Sequence, residues 1–68
     1  MQSNSGIYTF ELIAKLHADE WWILRCGAGR HIQMKHKTRP GKITLDMSVP
    51  FIPRGSLVSI YHQAGWIA

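Results

Sequence analysis

The stretch from Arg30 to His36, RHIQMKH, alternates apolar and polar residues, and a two-residue period is the mark of a half-buried β-strand. Successive side chains of a strand point to opposite faces, so Ile32 and Met34 go to one side while His31, Gln33 and Lys35 go to the other. Lys42 to Leu45, KITL, repeats the pattern with Ile43 and Leu45 on the inner side, and Thr38-Arg39-Pro40-Gly41 between the two is a turn signal. Upstream, Trp21 to Arg25, WWILR, is aromatic and β-branched enough for a further strand. Cys26-Gly27-Ala28-Gly29 is a flexible break after it, with Cys26 read as a turn residue. Three strands joined by short breaks predict an antiparallel meander.

Such a sheet needs a cover on its apolar side. Thr9 is placed to cap a helix starting at Phe10, with Glu11 near the positive end of its dipole, and Phe10, Leu12, Ile13 and Leu16 give that helix an apolar stripe through about Asp19. From Pro53 to Ala64 a second helix places Leu57, Ile60, Tyr61 and Ala64 at i, i+3, i+4 and i+7, and Gly65 suits the position just past its end. The predicted fold is therefore α+β: a three-stranded antiparallel sheet with two helices on one face, the other face open and carrying His31. Of the paired tryptophans, Trp22 is assigned to the core with Leu24. For Trp21 packing against a helix is the first reading, with stacking on a nucleobase or a place in a partner interface as the alternatives.

A chain of 68 residues holds one domain, read as 1–68 with residues 1–8 as a flexible lead-in. That polar lead-in has neither the basic nor the apolar region of a signal peptide, and no apolar run approaches the roughly 20 residues that cross a bilayer. The lone Cys26 forms no internal disulfide, so a reducing cytoplasm is expected and a membrane partner is not.

Eight Lys and Arg against four Asp and Glu leave a net charge of +4. Six of the eight (Arg25, Arg30, Lys35, Lys37, Arg39 and Lys42) lie between positions 25 and 42, across the hairpin and the strand joined to it. Such clustering is the footprint of a phosphate-backbone binder and equally of a solvated surface; charge alone does not choose. RNA carries its own nucleophile, the 2′-hydroxyl, so a base that removes that proton drives cleavage to a cyclic phosphate without metal. Histidine, with a pKa of about 6.5, suits that task, and neighbouring cations stabilise the charge that builds on the phosphoryl oxygens. His31 beside Arg30 and Lys35 makes a minimal site, although a lone strand histidine is also an ordinary surface residue. Metal binding is not expected: His31 and His36 point to opposite faces, His17 and His62 sit on different helices, and no second cysteine is present. No cofactor is implied. Cys26 as a nucleophile lacks an orienting Asp or Asn placed by the sequence.

The C-terminal stretch Ile52-Pro53-Arg54-Gly55-Ser56-Leu57, then Ile60, then Gln63-Ala64-Gly65, resembles the L-P-x-G-T-L…I…Q-A-G ending of HicA-type mRNA interferase toxins. Gly29-Arg30-His31-Ile32-Gln33-Met34-Lys35-His36 is similar to that family's G-S-H-H-x-F-x-H segment, with His31 at its catalytic histidine; Glu11-Leu12-Ile13, Leu16 and Trp22 also fit the pattern, over about residues 9–66. The chain departs from it at Trp21, Cys26, Arg30 and Ile32, and at Asp46-Met47, where the family has Pro-His. The resemblance implies a double-stranded-RNA-binding-domain-like α-β-β-β-α fold. It implies a metal-independent endoribonuclease toxin of a type II toxin–antitoxin system that cuts translated mRNA, with His31 as general acid/base and the six clustered cations positioning the RNA. It further implies a HicB-type antitoxin that masks the site and through which the pair binds operator DNA. The rival readings are a non-catalytic RNA-binding module and an inactive toxin relative that serves as a protein-binding partner.

Overall fold

A computed structural model describes residues 6–26 and 29–67, without the side chains of Arg25 and Cys26. The elements run β1 (Gly6–Tyr8), α1 (Thr9–Ala18), β2 (Trp21–Cys26), β3 (His31–His36), β4 (Lys42–Asp46), β5 (Phe51–Pro53) and α2 (Arg54–Ala64). The expected meander is present as an antiparallel sheet of order β2-β3-β4. Two short strands join the predicted helix–sheet–helix order: β1 pairs with β5 in a separate antiparallel ribbon, Ile7 opposite Ile52. Of the lead-in assigned to 1–8, residues 6–8 are thus a paired strand, and 1–5 lie outside the described residues. The ribbon requires glycine at its start, because a Cβ on Gly6 would overlap the carbonyl oxygen of Ile52 and the ring of Phe51.

The inner face of the sheet follows the alternation: Ile32 and Met34 of β3, Ile43 and Leu45 of β4 are buried and join Leu12 and Leu16 of α1, Leu57 and Ala64 of α2 in one core. Both helices therefore supply the cover of the same face. Ile13, Ile60 and Tyr61 pack at its margin. Phe10 departs from the predicted stripe. It is 69% exposed and stacks on Tyr8 at 5.9 Å, while Thr9 takes the inward position. Thr9 is not the cap: Tyr8 holds that place, and Thr9 is buried inside the first turn, with its hydroxyl donating to the carbonyl of Val49 and its N–H donating to the carbonyl of Pro50 at 2.9 Å. This ties the start of α1 to the segment entering β5. At the far end of α2, Gly65 takes a left-handed φ of 80°, as its position past the helix predicts.

The tryptophan assignment is reversed. Residues directly opposite in neighbouring strands share a face, and Trp21 lies opposite the inward-facing His36, whereas Trp22 lies opposite the outward-facing Lys35. Trp21 is therefore buried, edge-on to His36 at 5.2 Å, and Trp22 and Leu24 are exposed. Leu24 is the extra residue of a register shift between Ile23 and Arg25, and Cys26, expected in the turn, is paired opposite Ile32. Gly27 and Ala28 of the expected break lie outside the described residues.

Candidate functional site

The open face of the sheet is built from three outward positions of β3 and their cross-strand partners. His31 faces Asp46, Gln33 faces Thr44, and Lys35 faces Lys42 on β4, while Trp22 of β2 stands on the other side of Lys35. His31 is at the open end of this array, its side chain 56% exposed. His36, five residues on, points inward: its Nδ1 accepts the N–H groups of Thr38 at 2.9 Å and Arg39 at 3.0 Å, shaping the loop after β3. The two histidines are thus separated by the strand, as their spacing predicts, and His17 and His62 lie exposed on α1 and α2. Among the described residues no group of three or more His, Cys, Asp or Glu side chains is placed to hold a metal ion.

Asp46 is the residue that the sequence reading did not single out. Its Oδ2 lies 3.9 Å from Nε2 of His31, an ion-pair distance beyond direct hydrogen bonding. Its Oδ1 accepts two hydrogen bonds, from Ser48 Oγ at 2.6 Å and from the Ser48 N–H at 2.9 Å. The Ser48 hydroxyl first, then the Ser48 N–H, hold the Asp46 carboxyl below its ordinary value; partial desolvation opposes them, and the fields of His31 and Arg30 add to the lowering. Backbone bonds from Met47 N–H to the Arg30 carbonyl, 2.7 Å, and from Val49 N–H to the Asp46 carbonyl, 3.1 Å, lock this strand end beside the start of β3. A mostly apolar groove of about 170 Å³ lies between β4, β5 and α2, lined by Leu45, Asp46, Val49, Ile52, Ser56 and Ile60 among others.

The predicted cations divide. Lys35 and Lys42 sit side by side on the open face, with Lys35 Nζ 3.4 Å from the Gly41 carbonyl. Arg30 and Lys37 are exposed just before and just after β3. Arg39 is committed elsewhere: its Nη1 lies 3.2 Å from Asp19 Oδ2 and also donates to the Ala64 carbonyl. Trp66 Nε1 donates to the same Asp19 oxygen at 2.7 Å. This clamp joins the end of α1, the loop after β3 and the exit of α2. The Trp66 hydrogen bond, more than the charges of Arg39 and His36, holds the Asp19 carboxyl below its ordinary value against partial desolvation. The side chain of Arg25 lies outside the described residues; its backbone is paired opposite Gln33.

Taken together, the face offers one solvent-accessible imidazole next to a fixed carboxylate, with four accessible cations in or beside β3 and β4. An imidazole is a group able to take and return a proton, and the cations suit an extended polyanion. Comparison with known protein families, with curated proteins and with solved structures finds no match to this chain. No helix among the described residues is long and apolar enough to cross a membrane.

Proposed function

We propose that the chain is an RNA-binding α+β domain that cleaves its substrate without a metal ion. Within that class we assign it to the HicA-type mRNA interferase toxins with their double-stranded-RNA-binding-domain-like fold. The observation that carries the reading is the position of His31: it stands on the uncovered face of the sheet, 56% exposed, with Arg30 adjacent in sequence and Lys35 and Lys42 along the same face.

In this reading the RNA backbone lies along β3 and β4, its phosphates drawn by Arg30, Lys35, Lys37 and Lys42. His31 takes the proton of a 2′-hydroxyl, the 2′-oxygen attacks the adjacent phosphorus, and the bond from phosphorus to the 5′-oxygen breaks. The products are a 2′,3′-cyclic phosphate and a 5′-hydroxyl; the departing oxygen picks up a proton and the proton held by His31 returns to solvent. The nearby cations stabilise the charge that develops on the phosphoryl oxygens. The cellular substrate is translated mRNA in the cytoplasm, and a HicB-type antitoxin covers the open face and carries the pair to operator DNA.

Induced expression in bacteria tests this reading. The wild-type chain is expected to arrest growth, co-expression of a HicB-type antitoxin from the neighbouring reading frame to relieve the arrest, and His31→Ala to be harmless at equal protein level. Equal toxicity of the wild type and His31→Ala overturns the assignment. Binding of RNA with no cleavage by either protein identifies the non-catalytic module instead.

A further inference from the structure

We propose that Asp46, fixed by Ser48, is the positioning residue for His31, so that Ser48, Asp46 and His31 form a relay across the β3–β4 pair. The inference rests on His31 being a proton-transfer group and adds the group that aims it.

Three observations carry it. His31 and Asp46 are directly opposite in register on the open face, so the backbone itself brings the two side chains together. The carboxylate is not free to turn, because Oδ1 is held by both the hydroxyl and the N–H of Ser48, and this presents Oδ2 to Nε2 of His31 at 3.9 Å. The backbone bond from Met47 to Arg30 anchors the strand end that carries Asp46 to the residue preceding His31.

The charge logic supports a role in proton transfer. Among the described residues Arg30, in the preceding turn, is the cation adjacent to His31, and like charges repel when the imidazole takes a proton. Asp46 is the acidic group facing it from β4, and it offsets that repulsion at the moment when the imidazole takes a proton. A shift of about 1 Å closes the 3.9 Å gap to a charge-assisted hydrogen bond, and one bridging water joins the two groups without it.

The contact between Asp46 and Ser48 is also a local Asx-type turn, in which a side-chain oxygen accepts the N–H two residues on. Asp46→Asn separates the two roles, since the amide oxygen preserves the turn and only the charge is lost. With the purified full chain and a short single-stranded RNA, Asp46→Asn is expected to lower kcat about 1.5- to fivefold, the range for an exposed ion pair. KM should stay level or fall, because a negative charge leaves a polyanion-binding face, and the melting temperature should not move. Ser48→Ala should give a smaller loss of kcat, and Ser48→Thr should restore it. An unchanged kcat in Asp46→Asn, a loss expressed in KM alone, or a loss that tracks a fall in melting temperature overturns the proposal. A second arm needs no RNA: side-chain coupling constants of His31 by NMR should report one rotamer in the wild type and averaging in Asp46→Asn. If the wild type proves unable to cleave RNA while the couplings change as stated, the cleavage reading fails and the positioning of His31 by Asp46 stands. Couplings that are the same in both proteins overturn it.

Discussion

The division of the basic residues into accessible and committed ones predicts how RNA binding depends on salt. Each phosphate neutralised on a single strand contributes about −0.7 to the slope of log K against log salt. Arg30, Lys35, Lys37 and Lys42 are accessible in or next to β3 and β4, whereas Arg39 is bound to Asp19 and to the Ala64 carbonyl. If the four accessible cations each meet a phosphate, the slope is about −2.8, and raising salt from about 50 to about 200 mM weakens binding roughly fiftyfold. The assay is fluorescence anisotropy with a labelled single-stranded RNA, on the His31→Ala background so that the ligand stays intact. Lys35→Ala and Lys42→Ala are each expected to make the slope shallower by about 0.7. Arg39→Ala should leave the slope unchanged while lowering the melting temperature, because it opens the clamp between α1, the loop after β3 and Trp66. A slope that loses a full contact in Arg39→Ala and none in Lys35→Ala or Lys42→Ala refutes this reasoning.

Three further outcomes follow from the packing. Leu16→Ala empties a fully buried site and should cost about 2–5 kcal/mol, a large part of the roughly 3–10 kcal/mol available to a domain of this size, so denaturant titration should find the variant partly or wholly unfolded. Asp19 titrates below its ordinary value of 3.8 in the folded chain, so its contribution is complete above that value and lost as pH falls through the depressed one. Thermal melts below about pH 4 should therefore fall more steeply for the wild type than for Asp19→Asn. Gly6→Ala should unzip β1 from β5, raising amide exchange at Ile7 and Ile52 and leaving β3 protected; retention of the ribbon's protection contradicts the steric account.

The sheet was legible because its strands have clean two-residue alternation: Ile32, Met34, Ile43 and Leu45 face inward as the pattern requires. The second helix was equally readable, since Leu57 and Ala64 mark its stripe and Gly65 ends it. What failed depended on partners distant in sequence. Alternation in Trp21-Trp22 fixes that one ring goes inward but not which one; the pairing with β3 decides it. Thr9 reads as a cap and is instead drawn inward by acceptors at Val49 and Pro50, on a loop forty residues away. Phe10 has the spacing of a core residue, yet the buried Thr9 holds the helix in a rotation that turns the ring outward. The three-residue strands β1 and β5 are too short to carry a period.

The candidate site divides in the same way. Clustering of charge marked the cations and strand parity put His31 on the open face, but the resemblance to a family motif is what singled His31 out. Arg39 looked equivalent to its neighbours because local charge says nothing of Asp19, which reaches it from the end of α1. Asp46 was passed over as a departure from a family motif, since its contact with His31 is fixed by the β3–β4 register, and the turn signal between those strands does not set that register.

The central claim is that His31 carries metal-independent cleavage of RNA. Purified wild-type protein and His31→Ala, incubated with a defined single-stranded RNA in excess EDTA, test it most directly when the product ends are identified by mass spectrometry. The wild type should leave 2′,3′-cyclic phosphate and 5′-hydroxyl ends and His31→Ala none; equal cleavage by both proteins, or cleavage abolished by EDTA, contradicts that role of His31.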